Sequence, residues 1–168
     1  MKKTFLALAL AFLCGAPLSA QEAAPAASSS AVADALAIPG ITYLTETLPA
    51  ADAKFHVYLC SASWCGPCRA IMPKIVEQYS DIKAAGGEIV LLCCDRTPAA
   101  GKAYLKKYDA DIPSILLDVR TASSLRLPGF MPPRSIPYAV IVSADGTVLQ
   151  KGHGGIVLNW REITKQGN

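Results

Sequence analysis

From Ile38 onward the chain alternates between short, almost unbroken apolar runs and longer stretches whose apolar residues recur at helical spacing. Phe55 to Cys60 (FHVYLC) is β-prone and mostly apolar, the pattern of a strand buried on both faces. From Cys65 to about Tyr79 the period changes: Ile71, Ile75, Val76 and Tyr79 mark one face of a helix, which Gly86-Gly87 ends. Ile89 to Cys94 (IVLLCC) predicts a second buried strand. Thr97 followed by Pro98 makes a good N-cap and first turn for a helix through Tyr108. Ile115 to Leu117 reads as a short extended piece. Tyr138 to Val142 and Thr147 to Lys151, joined by Ser143-Ala144-Asp145-Gly146, predict a β-hairpin. Ile156 to Lys165 closes the chain as a helix with Ile156, Trp160 and Ile163 on one face.

The order strand, helix, strand, helix, hairpin, helix predicts an α/β fold. A helix joins the first two strands, so they are expected parallel with a right-handed crossover, and the last pair antiparallel. The result is a mixed sheet flanked by helices. No internal repeat is visible.

Composition changes the picture chiefly at the N-terminus. The chain of 168 residues is 52% apolar and 17% charged, enough for one domain with a real core. Residues 1–20 read as an export signal: Lys2 and Lys3, an apolar run from Phe5 to Leu13, then small residues at Ser19-Ala20. The run is short for a membrane span and is broken by Gly15 and Pro17; a retained inner-membrane anchor is the alternative. Cys14 follows the bulky Leu13, which argues against a lipoprotein site. Residues 21–37, rich in Ala, Ser and Pro, read as a flexible spacer, and 38–168 as the folded domain. Without the two signal lysines the net charge falls from +3 to about +1, leaving no basic patch for nucleic acid. Export, here to the bacterial periplasm, implies a compartment where disulfides persist.

The candidate chemistry lies in LCSASWCGPCRAIMPKI, residues 59–75. Cys65 falls where a strand stops and a helix starts, so free amides and the helix dipole favour its thiolate and depress its pKa. Cys68 lies one turn on, placed to attack a mixed disulfide formed on Cys65. Pro67 in the first turn costs no needed hydrogen bond, and Trp64 offers a flat apolar surface beside the pair. A structural zinc site needs four ligands, and Cys60, Cys93, Cys94, His56 and His153 have no fitting spacing. A purely structural bridge would close too small a loop to stabilise much.

Trp64-Cys65-Gly66-Pro67-Cys68, after a strand and opening a helix, resembles the active-site motif of the thioredoxin superfamily. Pro73 matches its helix-kinking proline, and Ile136-Pro137 matches the cis-proline that faces the catalytic disulfide. The export signal and the stretch CCDRTPAAGKAYLKKYDADIPSILLD resemble the exported TlpA/ResA-like branch, and the likeness covers roughly residues 52–165. It implies a thioredoxin-like fold over 38–168 and a thiol–disulfide oxidoreductase whose nucleophile is Cys65 and resolving thiol Cys68. Trp64, Gly66 and Pro67 would shape the motif, and Ile136 and Pro137 would dock substrate by backbone pairing. No metal or dissociable cofactor is implied; the Cys65–Cys68 disulfide itself is the redox group. The implied partners are protein thiols and disulfides plus a membrane electron donor or acceptor, with the chain a monomer. The Gly-Pro dipeptide resembles that of thioredoxin, with a potential of about −270 mV against about −120 mV for strong oxidants, which favours a reductase, as in cytochrome c maturation. An oxidase or isomerase, or a non-catalytic assembly factor on the same fold, are the alternatives.

The family's buried aspartate, six residues before the first cysteine, is Leu59 here, so resolution by Cys68 is expected to be slower than in a thioredoxin. Cys60, Cys93 and Cys94 are either inert core thiols, a Cys60–Cys93 or Cys60–Cys94 bridge, or a secondary relay. The proline-rich loop Leu127 to Ser135, with Phe130, Met131 and Arg134, either packs on itself or borders the site. His56, His153 and Trp160 read as structural residues.

Overall fold

The computed structural model describes residues 29–36, 39–50 and 52–165; the expected export signal and the first part of the spacer lie outside them. The two apolar runs form the centre of the sheet. β1 (Phe55–Ser61) and β2 (Gly87–Cys93) are buried at every position, because each is covered on both faces. They pair in parallel, with Cys60 opposite Leu92 and Ser61 opposite Cys93. Between them α2 (Gly66–Ala84) forms the crossover, ended by Gly86, whose positive φ of 83° suits a residue without a Cβ.

Beyond β2 come α3 (Pro98–Lys107), capped by Thr97 as expected, and the short β3 (Ser114–Leu116). β4 (Tyr138–Ser143) and β5 (Val148–His153) form the hairpin, and the sheet order is β3-β2-β1-β4-β5. β4 runs antiparallel to both β1 and β5, and β3 parallel to β2. The predicted mixed sheet is therefore found, with one parallel strand more than the pair expected. β5 is a largely exposed edge carrying Gln150 and Lys151, and a register irregularity at Ile141/Val142 disturbs its pairing. At the opposite edge the segment 42–44 lies along β3, with Leu116 N–H donating to Thr42 O (2.9 Å) and Leu44 N–H to Ser114 O (2.8 Å).

Side-chain alternation splits the core in two. Val57, Leu59, Ile89, Leu91 and Ile141 pack against Met72, Ile75 and Ile82 of α2 and against Tyr104 of α3. Tyr58, Cys60, Val90, Leu92 and Val140 face the other way, toward Leu125, Leu127 and Phe130. Onto this second face also packs α1 (Ser29–Leu36), with Val32, Ala35 and Leu36 buried. That corrects the reading of 21–37 as spacer for its last part. The apolar residues stand at i, i+3 and i+4, and sheet burial of this small stripe holds a helix that Ala-rich composition permits. Two further differences are local. α4 (Val119–Ser124) was not anticipated; Asp118 caps it by accepting from Thr121 N–H at 2.7 Å, a bond that holds the Asp118 carboxyl below the usual range. The closing helix is split into a 3₁₀ segment, Gly154–Asn159, and α5 (Trp160–Lys165), and His153 caps the first by accepting from Gly155 N–H (3.0 Å).

At the N-terminal ends of β1 and β2 lies a buried polar cluster. Glu88, wholly buried, accepts from Tyr79 Oη, Lys83 Nζ and Ala50 N–H, each at 2.8 Å. His56, opposite it in register, has Nε2 3.2 Å from Ala50 O and is fully buried. Burial lowers the His56 pKa, opposed in part by the Ala50 carbonyl and the Glu88 charge. The folded protein therefore holds a neutral imidazole, whereas the unfolded chain protonates it near its ordinary pKa of about 6.5. Below that pH the unfolded state binds the extra proton, so stability is lost as pH falls toward the folded pKa. Urea unfolding of wild type at pH 7.5 and 5.5 is expected to show this loss, and His56→Gln to show a smaller one across the same interval.

Candidate active site

The parallel pairing of β1 and β2 brings both of their C-terminal ends to one edge of the sheet, where the redox motif lies. Past Ser61 the chain turns through Ala62, Ser63 and Trp64, with Cys65 N–H donating to Ala62 O (3.2 Å). Cys65 is the N-cap of α2, in extended conformation, and its Sγ accepts from Cys68 N–H at 3.2 Å. An amide aimed at sulfur at a helix N-terminus favours the thiolate once the bridge is reduced. Cys65 and Cys68 are joined by a disulfide, with Cα atoms 5.2 Å apart. Cys65 is 5% exposed and Cys68 wholly buried, so of the two cysteines only the first reaches solvent.

Pro73 removes one N–H from α2, and the carbonyl it would have served, Arg69 O, instead lies 3.4 Å from the Tyr108 hydroxyl that donates to it. Across the site the Ile136–Pro137 peptide is cis, and the Ile136 oxygen is 3.6 Å from Cys65 Sγ. Pro137 is held from behind: its carbonyl accepts from Gly154 N–H at 2.9 Å. A Cβ on Gly154 would stand 2.7 Å from Pro137 Cβ and 3.3 Å from Leu59 Cδ1, so the backbone approaches there only because the side chain is absent. Leu59, fully buried, puts hydrocarbon in this packing against Gly154.

Trp64 stands 62% exposed beside the cysteines, its Nε1–H reaching Cys94 O at 3.4 Å. On one side it borders a groove of about 530 Å³ lined by Cys94, Leu117, Val119, Pro132, Arg134 and Ile136 among others. The proline-rich loop does both things foreseen for it: Leu127 and Phe130 are buried under the sheet, while Arg134 and Ser135 line this groove and Met131 is 74% exposed.

The residue that sequence reading missed is Asp95. Its carboxylate, 4% exposed, accepts from Ser63 Oγ (2.6 Å), Ser63 N–H (3.1 Å) and the Cys93 thiol (3.2 Å). It clamps the turn immediately before Trp64 and Cys65. Cys60, Cys93 and Cys94 are free thiols, so neither bridge considered among them is present. Among the described residues no group of His, Cys, Asp and Glu could hold a metal ion, and no helix is long and apolar enough to cross a membrane.

Residues 52–148 match the family model described as thioredoxin-like. The thiol-disulfide oxidoreductase ResA of Bacillus thuringiensis subsp. konkukian is 33% identical over 92 residues, 55% of this chain and 50% of that protein. Mouse nucleoredoxin is 31% identical over 101 residues, 59% of this chain and 22% of that protein. The chain therefore spans about half the length of its ResA relative and about a fifth of nucleoredoxin. In fold it is similar to a thiol:disulfide interchange protein from Bacteroides sp. (TM-score 0.56, 19% identity, 66% of this chain and 72% of that one). A protein of the same description from Chlorobium tepidum TLS gives a TM-score of 0.57 at 20% identity, covering 68% and 80%.

The contact between Gly154 and Pro137 is open to test. Gly154→Ala is expected to displace the Pro137 loop, lowering unfolding stability by about 1–3 kcal/mol. Urea denaturation measures the loss, and the rate at which reduced Cys65 attacks a model disulfide is expected to fall with it.

Proposed function

The chain belongs to the thioredoxin-like family, and from that premise we propose that it is a periplasmic thiol–disulfide oxidoreductase that reduces disulfides of exported proteins. The asymmetry of the cysteine pair carries this reading: Cys65 caps α2 with the only exposure of the two, and Cys68 is sealed behind it. Reduced Cys65 attacks a substrate disulfide, forming a mixed disulfide and releasing one substrate thiol. Cys68 then attacks the Cys65 sulfur, freeing the second substrate thiol and leaving the Cys65–Cys68 bridge. Two electrons pass to the substrate, and an electron-donor protein at the membrane restores the dithiol. Cytochrome c maturation is one process needing such a reductant.

Trp64, Gly66 and Pro67 shape the nucleophile's turn, and the exposed Trp64 indole supplies apolar contact. Ile136 and Pro137 receive an extended substrate segment beside Cys65, whose sulfur lies 3.6 Å from the Ile136 carbonyl. No dissociable cofactor takes part. The residues 1–20 are read as the signal that exports the chain, 21–28 as a link, and the chain acts as a monomer.

Insulin reduction with dithiothreitol as donor tests the activity: wild type is expected to accelerate it, and Cys65→Ser to fall to the uncatalysed rate. The Cys65/Cys68 couple is expected near the thioredoxin value of about −270 mV; a potential near the strong oxidants at about −120 mV would reverse the direction of electron flow. Because Leu59 puts no carboxylate behind Cys68, resolution is proposed to be slow. Leu59→Asp is expected to speed the decay of the mixed disulfide in single-turnover kinetics, and an unchanged rate would count against this role.

A further inference from the structure

Two of the three free thiols among the described residues stand together next to the motif. Strand parity separates them from the third: Cys93 points with Leu91 toward α2 and α3, where Asp95 accepts its S–H. Cys60 and Cys94 share the opposite face, since Cys60 pairs with Leu92 and Cys94 is two residues on. Cys94 lies just past β2, its N–H donating to Ser61 O at 2.8 Å. It packs against the cluster of Ala62, Cys65 and Cys68 as well as against the layer that contains Cys60. It is half-buried where Cys60 is sealed, and it lines both the groove beside Ile136 and a recess on the other side of Trp64.

We propose that Cys60 and Cys94 form a second dithiol–disulfide couple that exchanges electrons with Cys65–Cys68. Resting on the reading of Cys65 as an exchange-active sulfur, the step needs no outside oxidant. The Cys94 thiolate attacks the Cys65 sulfur of the bridge, forming a Cys65–Cys94 disulfide and expelling Cys68 as thiolate. Cys60 then attacks the Cys94 sulfur, forming Cys60–Cys94 and expelling Cys65. The two protons that leave Cys60 and Cys94 are taken up by Cys65 and Cys68, so two electrons and two protons pass from one pair to the other. The local chemistry favours these roles: the Cys60 thiol hydrogen-bonded to Cys94 lowers the Cys94 pKa, while the same contact and burial raise that of Cys60. Burial pushes the Cys93 thiol up to about 12, which leaves it outside the exchange. With both couples reduced, one chain carries four electrons instead of two.

The full chain equilibrated across a series of reduced and oxidised dithiothreitol and glutathione buffers, acid-quenched, alkylated and mapped by tandem mass spectrometry, tests this. With alkylation carried out on the unfolded chain, two transitions are expected: a Cys65–Cys68 crosslink and, at a distinct potential, a Cys60–Cys94 crosslink, with Cys93 alkylated as a free thiol throughout. Cys94→Ala is expected to abolish the second transition and keep the first, and the Cys60→Ala/Cys68→Ala double variant, which lacks both thiols able to resolve it, to accumulate the Cys65–Cys94 crosslink. A Cys65–Cys68 transition with Cys60 and Cys94 alkylated at every potential overturns the second couple alone. Loss of the Cys65–Cys68 transition from wild type overturns the proposed function as well.

Discussion

The parallel pairing of two wholly buried strands is the constraint from which the rest follows. Because β1 and β2 run the same way, both must end at the same edge of the sheet, and the segments that leave them become neighbours. Ser63 and Asp95, 32 residues apart in sequence, meet there through two hydrogen bonds. The same geometry sets Cys94 beside the Cys65 turn and lets the cis Ile136–Pro137 segment enter from β4, on the other side of β1. An antiparallel arrangement would have sent one of these ends to the far side of the molecule.

The two ends of the central strands are chemically unlike. One holds oxygen and nitrogen: Glu88 with Tyr79, Lys83 and Ala50, and His56 beside them, a cluster in which nearly every polar atom has a partner. His56 Nδ1 is an exception. The other end holds sulfur: Cys94 lies against Cys65 and Cys68 and against the layer of Cys60, while Cys93, on the opposite face, donates to the Asp95 carboxylate that is tied to the Ser63 turn. Hydrocarbon separates the two, Leu59 and Leu91 among it. Charge near His56 is thereby kept remote from the thiols, and the carboxylate nearest the motif is engaged in holding Ser63.

Much of this was legible along the chain because burial is continuous where it matters. FHVYLC and IVLLCC permit few readings other than central strands, and Cys65 after the first of them could only open the helix that crosses between them. Three features were not legible, each for a different reason. α1 hides its face of Val32, Ala35 and Leu36 in a composition that otherwise reads as a linker. α4 buries only Thr121 and leaves Val119 89% exposed, so no apolar period announces it, although Asp118 three residues before Thr121 was a usable capping signal. Asp95 carries no local mark at all, since its role comes from a register that joins it to Ser63. The loop 127–135 is ambiguous in sequence because it buries Phe130 on one side and sets Arg134 in the groove on the other.

The two sheet edges have a consequence for a protein whose proposed work brings it against other, incompletely folded chains. An open strand is a template, and a client with unpaired backbone would extend it as readily as it would meet Cys65. Here one margin is occupied by the chain's own residues 42–44. The other, β5, is interrupted in register and carries Lys151 beside Gly152, whose φ of 155° any strand-forming neighbour must accommodate. One margin is thus covered and the other irregular, while the groove by Trp64 stays open. For the reductase proposed, margins of this kind would limit edge-to-edge pairing with a client and leave the groove as the place of contact.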